Sequence, residues 1–161
     1  MSSLKPRRRD PARLIRTYLR TGTRSRAEVR AYLRQRGMAV PDAARVTREL
    51  ERSGALDDRV CAKLWMQRLA DAGYAWPVIR ERLREKQLSE RLINECLTHA
   101  RDDDPDHDRL RAIATARLAH LPASDSRRRQ RLARWLASRG FDLDLIEPVL
   151  AELIPDVSHV D

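Results

Sequence analysis

Residues 75–100 read AWPVIRERLREKQLSERLINECLTHA, and this stretch decides the fold because its pattern occurs twice more in the chain. Moved back by 50 residues it overlays residues 25–50, SRAEVRAYLRQRGMAVPDAARVTREL, and moved forward by 53 it overlays residues 128–153, RRQRLARWLASRGFDLDLIEPVLAEL. Six apolar positions coincide in all three copies, and in the first copy they are Val29, Leu33, Met38, Ala43, Val46 and Leu50. Such a period predicts stacked copies of one helical unit.

Local signals within each copy predict helices and their ends. Apolar residues recur at intervals of three and four, Asp10-Pro11 is typical of a helix start, and Ser25 to Glu28 form a capping box. The five glycines stand where helices should end, because glycine adopts the left-handed conformation without steric cost. Pro148 should kink the last helix or delay its start. These signals predict nine helices, near residues 11–21, 25–36, 41–53, 58–71, 76–86, 89–99, 107–120, 125–138 and 142–153.

The predicted fold class is all-α, with three tandem three-helix repeats that form an elongated curved rod. Asp57 or Asp58 should cap the helix that follows Leu56, which predicts a stiff connection between the first two repeats. The charged stretch around Pro105 is the better candidate for a hinge. The predicted units are a basic arm (1–10), repeat one (11–56), repeat two (57–100), a charged joint (101–106), repeat three (107–154) and a tail (155–161).

The distribution of charge predicts where a partner binds. The net charge is +9, yet residues 1–36 carry 12 basic and 2 acidic side chains, whereas residues 142–161 carry 6 acidic and no basic ones. A polyanion or an acidic protein surface would suit the first repeat and the arginine cluster of the third, although basic side chains also solvate helix faces without further function. The spacing of the first four candidates predicts one shared helix face. The candidate contact residues are Arg24, Arg26, Arg30, Arg34, Arg127, Arg128, Arg129 and Arg131.

Catalysis and metal binding find little support in the sequence. Asp57-Asp58 has no histidine or third carboxylate at a matching spacing, and capping explains both this pair and Ser25. The histidines at 99, 107, 120 and 159 form no paired metal motif. We therefore predict neither catalytic residues, nor a metal site, nor a cofactor.

Cysteine and aromatic residues are predicted to serve packing. Cys61 and Cys96 lack the CxxC spacing and should be buried free thiols, as in a reducing cytosol. Most aromatic side chains lie on the apolar stripes, whereas Tyr74 and Trp76 occur in a turn and are predicted to be the exposed pair. Because there is no long apolar run and no apolar segment after the basic N-terminus, we expect a cytoplasmic protein that does not enter a membrane.

A motif in the middle of the chain, supported by two other stretches, identifies a family. Its residues are Leu56-Asp57-Asp58, Ala62, Trp65, Met66, Ile79, Leu83, Arg84, Lys86 and Leu88. On these residues, on Ser25–Val29 with Gly37, and on Leu136–Phe141, the chain resembles the RecX family, whose members are three tandem three-helix repeats. It departs from the family pattern at Cys61, where the family has an aromatic residue, and at Gln87, where it has glycine.

The resemblance implies a function as well as a fold. It implies a negative regulator that lies in the groove of the RecA recombinase filament on single-stranded DNA and inhibits ATP hydrolysis, strand exchange and co-protease activity. The family offers no catalytic residues to carry over, and we expect a monomer. Two rivals stay open: an autonomous DNA-binding protein that acts without a recombinase, and an inert helical scaffold. The basic side chains could meet either the recombinase or DNA directly.

Overall fold

The computed structural model describes residues 11–103 and 106–155, and within them all regular structure is α-helical. The basic arm at 1–10 with the Asp10 cap, most of the tail and the middle of the charged joint lie outside the described residues. The helices are α1 (Pro11–Arg20), α2 (Arg26–Gln35), α3 (Val40–Arg52), α4 (Asp58–Asp71), α5 (Trp76–Glu85), α6 (Glu90–Asp103), α7 (Asp106–Leu118), α8 (Arg128–Ser138) and α9 (Leu143–Leu153).

The predicted caps are present where local chemistry decides the helix ends. The Ser25 hydroxyl accepts a hydrogen bond from the Glu28 amide, and the Glu28 carboxylate accepts one from the Ser25 amide, which completes the capping box of α2. The Asp57 carboxylate accepts hydrogen bonds from the amides of Arg59 and Val60 and so caps α4. In the turn between the second and third helices of a repeat, Gly37 and Gly140 have φ values of 87° and 90°. Both kinds of prediction are confirmed.

Each repeat has an apolar core of its own. In repeat one the core forms around Ile15, Val29, Leu33, Ala43 and Leu56. The core of repeat two contains Ala62, Trp76, Ile79, Leu83, Leu88, Leu92, Ile93, Cys96 and Leu97. That of repeat three contains Leu110, Ala114, Leu132, Leu136, Phe141, Ile146, Val149 and Leu150, and it also takes in Ala75 from repeat two. The predicted all-α fold of three-helix repeats is therefore confirmed, with the apolar seams where the repeat pattern placed them.

Some predicted helix boundaries were wrong. Helix α6 continues to Asp103 instead of ending at residue 99, so the charged joint begins inside a helix. The Arg101 guanidinium contacts the Asp106 carboxylate at 2.7 Å across the connection to α7. Helix α9 runs through Pro148 from Leu143, so the proline does not delay the helix start. Because proline has no amide hydrogen, α9 still lacks one intrahelical hydrogen bond at this position.

The predicted exposure of Trp76 was wrong. Its indole is 5% exposed and belongs to the core of repeat two, because Trp76 is the first residue of α5 and not part of the preceding turn. The Arg109 guanidinium lies over the Trp76 ring at 4.4 Å from its centroid. Tyr74 is half-buried, with the Arg139 guanidinium at 4.4 Å from its ring centroid. Both rings therefore bind arginine side chains of repeat three and are not free to stack on bases.

The second helices of the three repeats meet end to end. At the first joint, between repeats one and two, the Ser25 hydroxyl before α2 donates a hydrogen bond of 2.6 Å to the Lys86 carbonyl after α5. At the second joint, between repeats two and three, the Ala75 amide before α5 donates one of 2.9 Å to the Arg139 carbonyl after α8. These are equivalent positions of the repeat, and each bond satisfies a group that a helix end leaves without a partner. We call α8, α5 and α2 in this order the helix column.

Candidate partner-binding surface

The eight candidate arginines lie at the two ends of the helix column. Helix α2 contains Arg26, Arg30 and Arg34, whereas Arg24 precedes the N-cap of this helix. The prediction that Arg24 shares one helix face with the other three was therefore wrong. Arg127 is the N-cap residue of α8, and Arg128, Arg129 and Arg131 follow in its first turns. The structure thus brings the candidates together in two separate groups, one in repeat one and one in repeat three.

Arg26 joins repeat one to repeat two and is not free to bind a partner. Its amide and its Nε donate hydrogen bonds of 2.8 and 2.9 Å to the Asp58 carboxylate of α4, and its Nη1 lies 2.5 Å from the Glu51 carboxylate. The hydrogen bond to Asp58 raises the pKa of Arg26 above its ordinary value. The role of Arg26 in this arrangement is to hold the first joint.

Arg24 is held by its own repeat. Its guanidinium lies 4.6 Å from the centroid of the Tyr18 ring, and its Nη2 donates a hydrogen bond of 3.2 Å to the Thr21 hydroxyl. Tyr18 in turn stacks on Tyr32 with the two ring centroids 4.0 Å apart. This cation–π and ring contact connects α1 to α2 and leaves the Arg24 side chain 23% exposed.

Arg30 and Arg34 differ from Arg24 and Arg26 in that both side chains are exposed and neither has an ion-pair partner among the described residues. Their counterparts in repeat two are Arg80 and Arg84, which have the same place on α5. Arg84 contacts the carboxylates of Glu81 and Glu90, and Arg80 lies 3.6 Å from Glu90. One repeat therefore neutralises this pair of arginines, while the other presents it to solvent.

The arginines of repeat three divide in the same way. Arg129 donates hydrogen bonds of 3.0 Å to the Ile154 carbonyl and to the Glu147 carboxylate, and Arg131 lies 3.1 Å from Asp125. Arg127 and Arg128 have no side-chain partner in the part of the chain that the structure describes. Both stand at the N-terminus of α8, where the helix dipole disfavours positive charge. Their position gives no benefit to the helix and favours a role in binding an anionic partner.

Two pairs of arginines thus remain as the candidate surface: Arg30 with Arg34, and Arg127 with Arg128. Sequence reasoning also missed Val40, an apolar side chain that is 57% exposed at the start of α3. A comparison of the repeats at this position could have found it, because Val40 stands where repeat two has Glu90.

The described residues contain no group of three or more His, Cys, Asp or Glu side chains that could hold a metal ion. Cys61 and Cys96 are buried, as predicted. Burial, together with the negative charges of Glu28 and Asp58, raises the pKa of the Cys61 thiol to about 11, so this side chain is a poor nucleophile at neutral pH. None of the described helices is both long enough and apolar enough to cross a bilayer.

Comparison with known proteins agrees with this architecture. Regulatory protein RecX of Mycobacterium avium is 32% identical to this chain in an alignment 157 residues long, which covers 94% of this chain and 90% of that protein. The chain belongs to the RecX family. Regulatory protein RecX of Chromohalobacter salexigens is 30% identical over 127 residues, or 79% of this chain and 82% of that protein. The family model of the third three-helix domain of RecX matches residues 104–150, which contain α7 and α8 of this RecX-family chain.

Solved structures of RecX proteins share the fold. The crystal structure of RecX from Lactobacillus salivarius superposes with a TM-score of 0.66 at 18% identity and covers 89% of this chain and 94% of that chain. A second crystal structure, of a regulatory protein RecX, gives a TM-score of 0.61 at 20% identity. At these identities the likeness concerns the fold alone, and it supports the elongated rod of helical repeats.

Proposed function

We propose that this protein is a negative regulator of the RecA recombinase that binds in the groove of the RecA filament on single-stranded DNA. Binding there would inhibit ATP hydrolysis, strand exchange and co-protease activity, and would thereby regulate recombination and DNA repair. Membership of the RecX family supports the regulatory role, because the relatives are named regulatory proteins. We further propose that the protein acts as a cytoplasmic monomer, and by binding alone, without a cofactor or a catalytic step.

The observation that carries the proposal is the presence of two unneutralised arginine pairs in different repeats of one rod. Arg30 with Arg34 lies in repeat one, and Arg127 with Arg128 lies in repeat three. Each pair alone would bind an acidic surface weakly, because exposed ion pairs contribute about 0.2–1 kcal/mol each. Two pairs on one rod gain avidity where a partner repeats along a line, as a filament does and a free subunit does not.

The test is a titration of recombinase ATP hydrolysis on single-stranded DNA with this protein and a quadruple variant. The variant replaces Arg30, Arg34, Arg127 and Arg128 with Gln. The control replaces four exposed arginines that have carboxylate partners, Arg45, Arg82, Arg91 and Arg111, and so removes the same amount of charge. We expect the first variant to need about tenfold to hundredfold more protein for half inhibition, from about 2 kcal/mol of lost contacts. The control should stay close to wild type.

Binding to bare single-stranded DNA, measured at the same salt concentration, separates this function from the rival. Inhibition of ATP hydrolysis well below the concentration that coats bare DNA would support the filament regulator. Inhibition that begins only once the DNA is saturated would favour an autonomous DNA-binding protein, since the same arginines suit phosphates. Equal loss of inhibition in both quadruple variants would show that the total charge matters and that the two arginine pairs do not.

A further inference from the structure

The first residue of the third helix distinguishes the three repeats. This residue is Val40 in α3, Glu90 in α6 and Leu143 in α9. The Glu90 carboxylate accepts hydrogen bonds of 2.5 and 3.0 Å from Arg84 and lies 3.6 Å from Arg80, so it neutralises the surface of α5. Val40 and Leu143 are apolar and exposed to 57% and 62%.

Repeat one has the arginines of repeat two without their partners. In repeat two, Arg80 and Arg84 are contacted by Glu81, Glu90 and Asn94. The matching residues of repeat one are Ala31, Val40 and Ala44. The helices beneath pack alike, because Val29, Leu33 and Ala43 are fully buried in repeat one, as Ile79, Leu83 and Ile93 are in repeat two. The equivalence of the two repeats assigns to Val40 the position beside Arg30 and Arg34 that Glu90 has beside Arg80 and Arg84.

This arrangement makes a patch of mixed chemistry, which we call the repeat-one patch: Arg30, Arg34 and Val40. Repeat three lacks the combination, since Leu143 stands there with Ala133 and Ala137 at the two arginine positions. Repeat two lacks it as well, because Glu90 both neutralises the arginines and replaces the apolar side chain.

We propose that the repeat-one patch binds an acidic protein segment that carries an apolar side chain next to its carboxylates. The inference rests on the function proposed above, because it assigns the chemistry of the partner at one of its two contact sites. Guanidinium groups bind carboxylates through paired hydrogen bonds, and an apolar side chain of the partner covers Val40. A nucleic-acid backbone satisfies the arginines but presents charged oxygens to Val40 and gains little from it.

The chain itself supplies the variant that tests this inference. Val40→Glu introduces the residue of repeat two, which should pair with Arg30 and Arg34, and a Glu in the first turn of α3 suits the helix dipole. Val40→Ala keeps the arginines free and removes only the apolar group. Leu143→Glu is the matched control, with the same type of change at the equivalent position of repeat three. Glu90→Val is the reverse experiment, because it removes the carboxylate that contacts both Arg80 and Arg84 and places a valine beside them, while Glu81 still contacts Arg84.

Three fluorescent probes of equal negative charge distinguish the ligand classes: a helical peptide of Glu and Leu, the same peptide with Gln in place of Leu, and a deoxythymidine oligonucleotide. Of the three probes, we expect the Glu-Leu peptide to bind wild type most tightly. Its affinity should fall about tenfold for Val40→Glu and should be unchanged for Leu143→Glu. Val40→Ala should weaken the Glu-Leu peptide and leave the Glu-Gln peptide unchanged. Glu90→Val should strengthen binding of the Glu-Leu peptide. Circular dichroism verifies that each variant keeps its helices.

Either failure can be recognised. If Val40→Ala binds all three probes as wild type does, or if Val40→Glu weakens the oligonucleotide as much as the Glu-Leu peptide, the patch is a general anion site and the inference is wrong. The recombinase filament is then measured with the same variants. If the peptide preferences hold but wild type does not bind the filament, the proposed function fails and the patch stands. If the quadruple Gln variant loses filament binding while Val40→Ala does not, the function stands and the patch inference fails.

Discussion

The two joints of the rod form at equivalent positions of the repeat but differ in their side-chain chemistry. At the first joint, Lys86 of repeat two lies 3.0 Å from the Glu28 carboxylate, and the Asp58 carboxylate accepts two hydrogen bonds from Arg26. The Trp65 indole donates a hydrogen bond of 3.2 Å to the Thr23 carbonyl. Ions and hydrogen bonds therefore connect repeats one and two.

The second joint relies on shape and on arginines that lie over aromatic rings. Gly140 lies so close to repeat two that a Cβ atom there would meet Val78 Cγ2 at 2.2 Å. Arg109 is 7% exposed and donates hydrogen bonds of 2.9 Å to the carbonyls of Ala70 and Tyr74. Ala75 of repeat two is part of the core of repeat three. Close apolar packing thus connects repeats two and three, whereas an ion-pair network connects repeats one and two.

The difference shows that a repeat architecture determines where neighbouring repeats contact each other but not which kind of interaction stabilises the contact. Contacts between close-packed groups are insensitive to ionic strength, whereas even partly buried ion pairs lose some strength in salt. We therefore expect the first joint to respond to salt and the second to respond to changes of volume. Three experiments test this expectation.

The largest effect is expected for Gly140→Ala. The left-handed φ of 90° costs a non-glycine residue about 1–2 kcal/mol, and the overlap with Val78 adds about 1–3 kcal/mol. The free energy of unfolding, measured with urea, should fall by the sum. Gly37→Ala is the control, because its φ of 87° is similar and no atom lies within 4 Å of the added Cβ. Equal losses in the two variants would mean that the close approach to Val78 does not matter.

An intermediate effect is expected for Arg109→Met. The variant keeps the apolar stem and loses both carbonyl hydrogen bonds and the contact with the Trp76 ring. The free energy of unfolding should fall by about 1–3 kcal/mol, because two partly buried carbonyl groups lose a hydrogen-bond donor. Arg111→Met removes a 3.5 Å ion pair with Glu152 from the same helix and should cost about 0.5 kcal/mol or less. A loss for Arg109→Met no larger than that for Arg111→Met would mean that the two carbonyl contacts do not hold the second joint.

The smallest effect is expected for Lys86→Met at the first joint. Its side chain and that of Glu28 are 20% and 16% exposed, so we expect a loss of about 1 kcal/mol at low salt, where screening is weak. The loss should shrink in high salt, and Glu28→Gln combined with Lys86→Met should cost less than the sum of the single variants. Additive losses at every salt concentration would contradict an ionic first joint.

The thiol of Cys61 reports which joint has opened. It is fully buried and lies near Glu28, Asp58 and Lys86, all of which belong to the first joint. In a Cys96→Ala background, Lys86→Met should speed the alkylation of Cys61 under native conditions, whereas Arg109→Met should not. Faster alkylation in both variants would mean that the two joints open together.

The sequence alone predicted those parts of the fold that depend on local chemistry. The Ser25 capping box, the Asp57 cap and the glycine turns involve neighbours along the chain, so residue type and spacing suffice to predict them. The apolar seam of each repeat follows from periodicity in the same way. Residue type and spacing did not predict contacts between residues distant in sequence. The partner of Arg26 is Asp58 of the next repeat, and Trp76 is buried by elements distant from it in sequence.

The candidate surface was predicted only in part for the same reason. Charge and spacing predict eight contact arginines, but a cation is available to a partner only if no carboxylate already binds it. Arg129 and Arg131 have such carboxylates nearby, whereas Arg30 and Arg34 do not. The information was present in the repeat pattern, since Glu90 of repeat two has Val40 as its counterpart in repeat one.

The helix column has one further consequence, which concerns direction. Helices α8, α5 and α2 all point the same way along the rod, so their peptide dipoles add with one sign from Arg128 to Arg34. The column begins at the N-terminus of α8 and finishes at the C-terminus of α2, and the two free arginine pairs lie in these two terminal helices. The rod is therefore directional, with two chemically different ends. On a partner filament that also has a direction, the rod would bind in a single orientation, because reversing it would exchange two unlike ends.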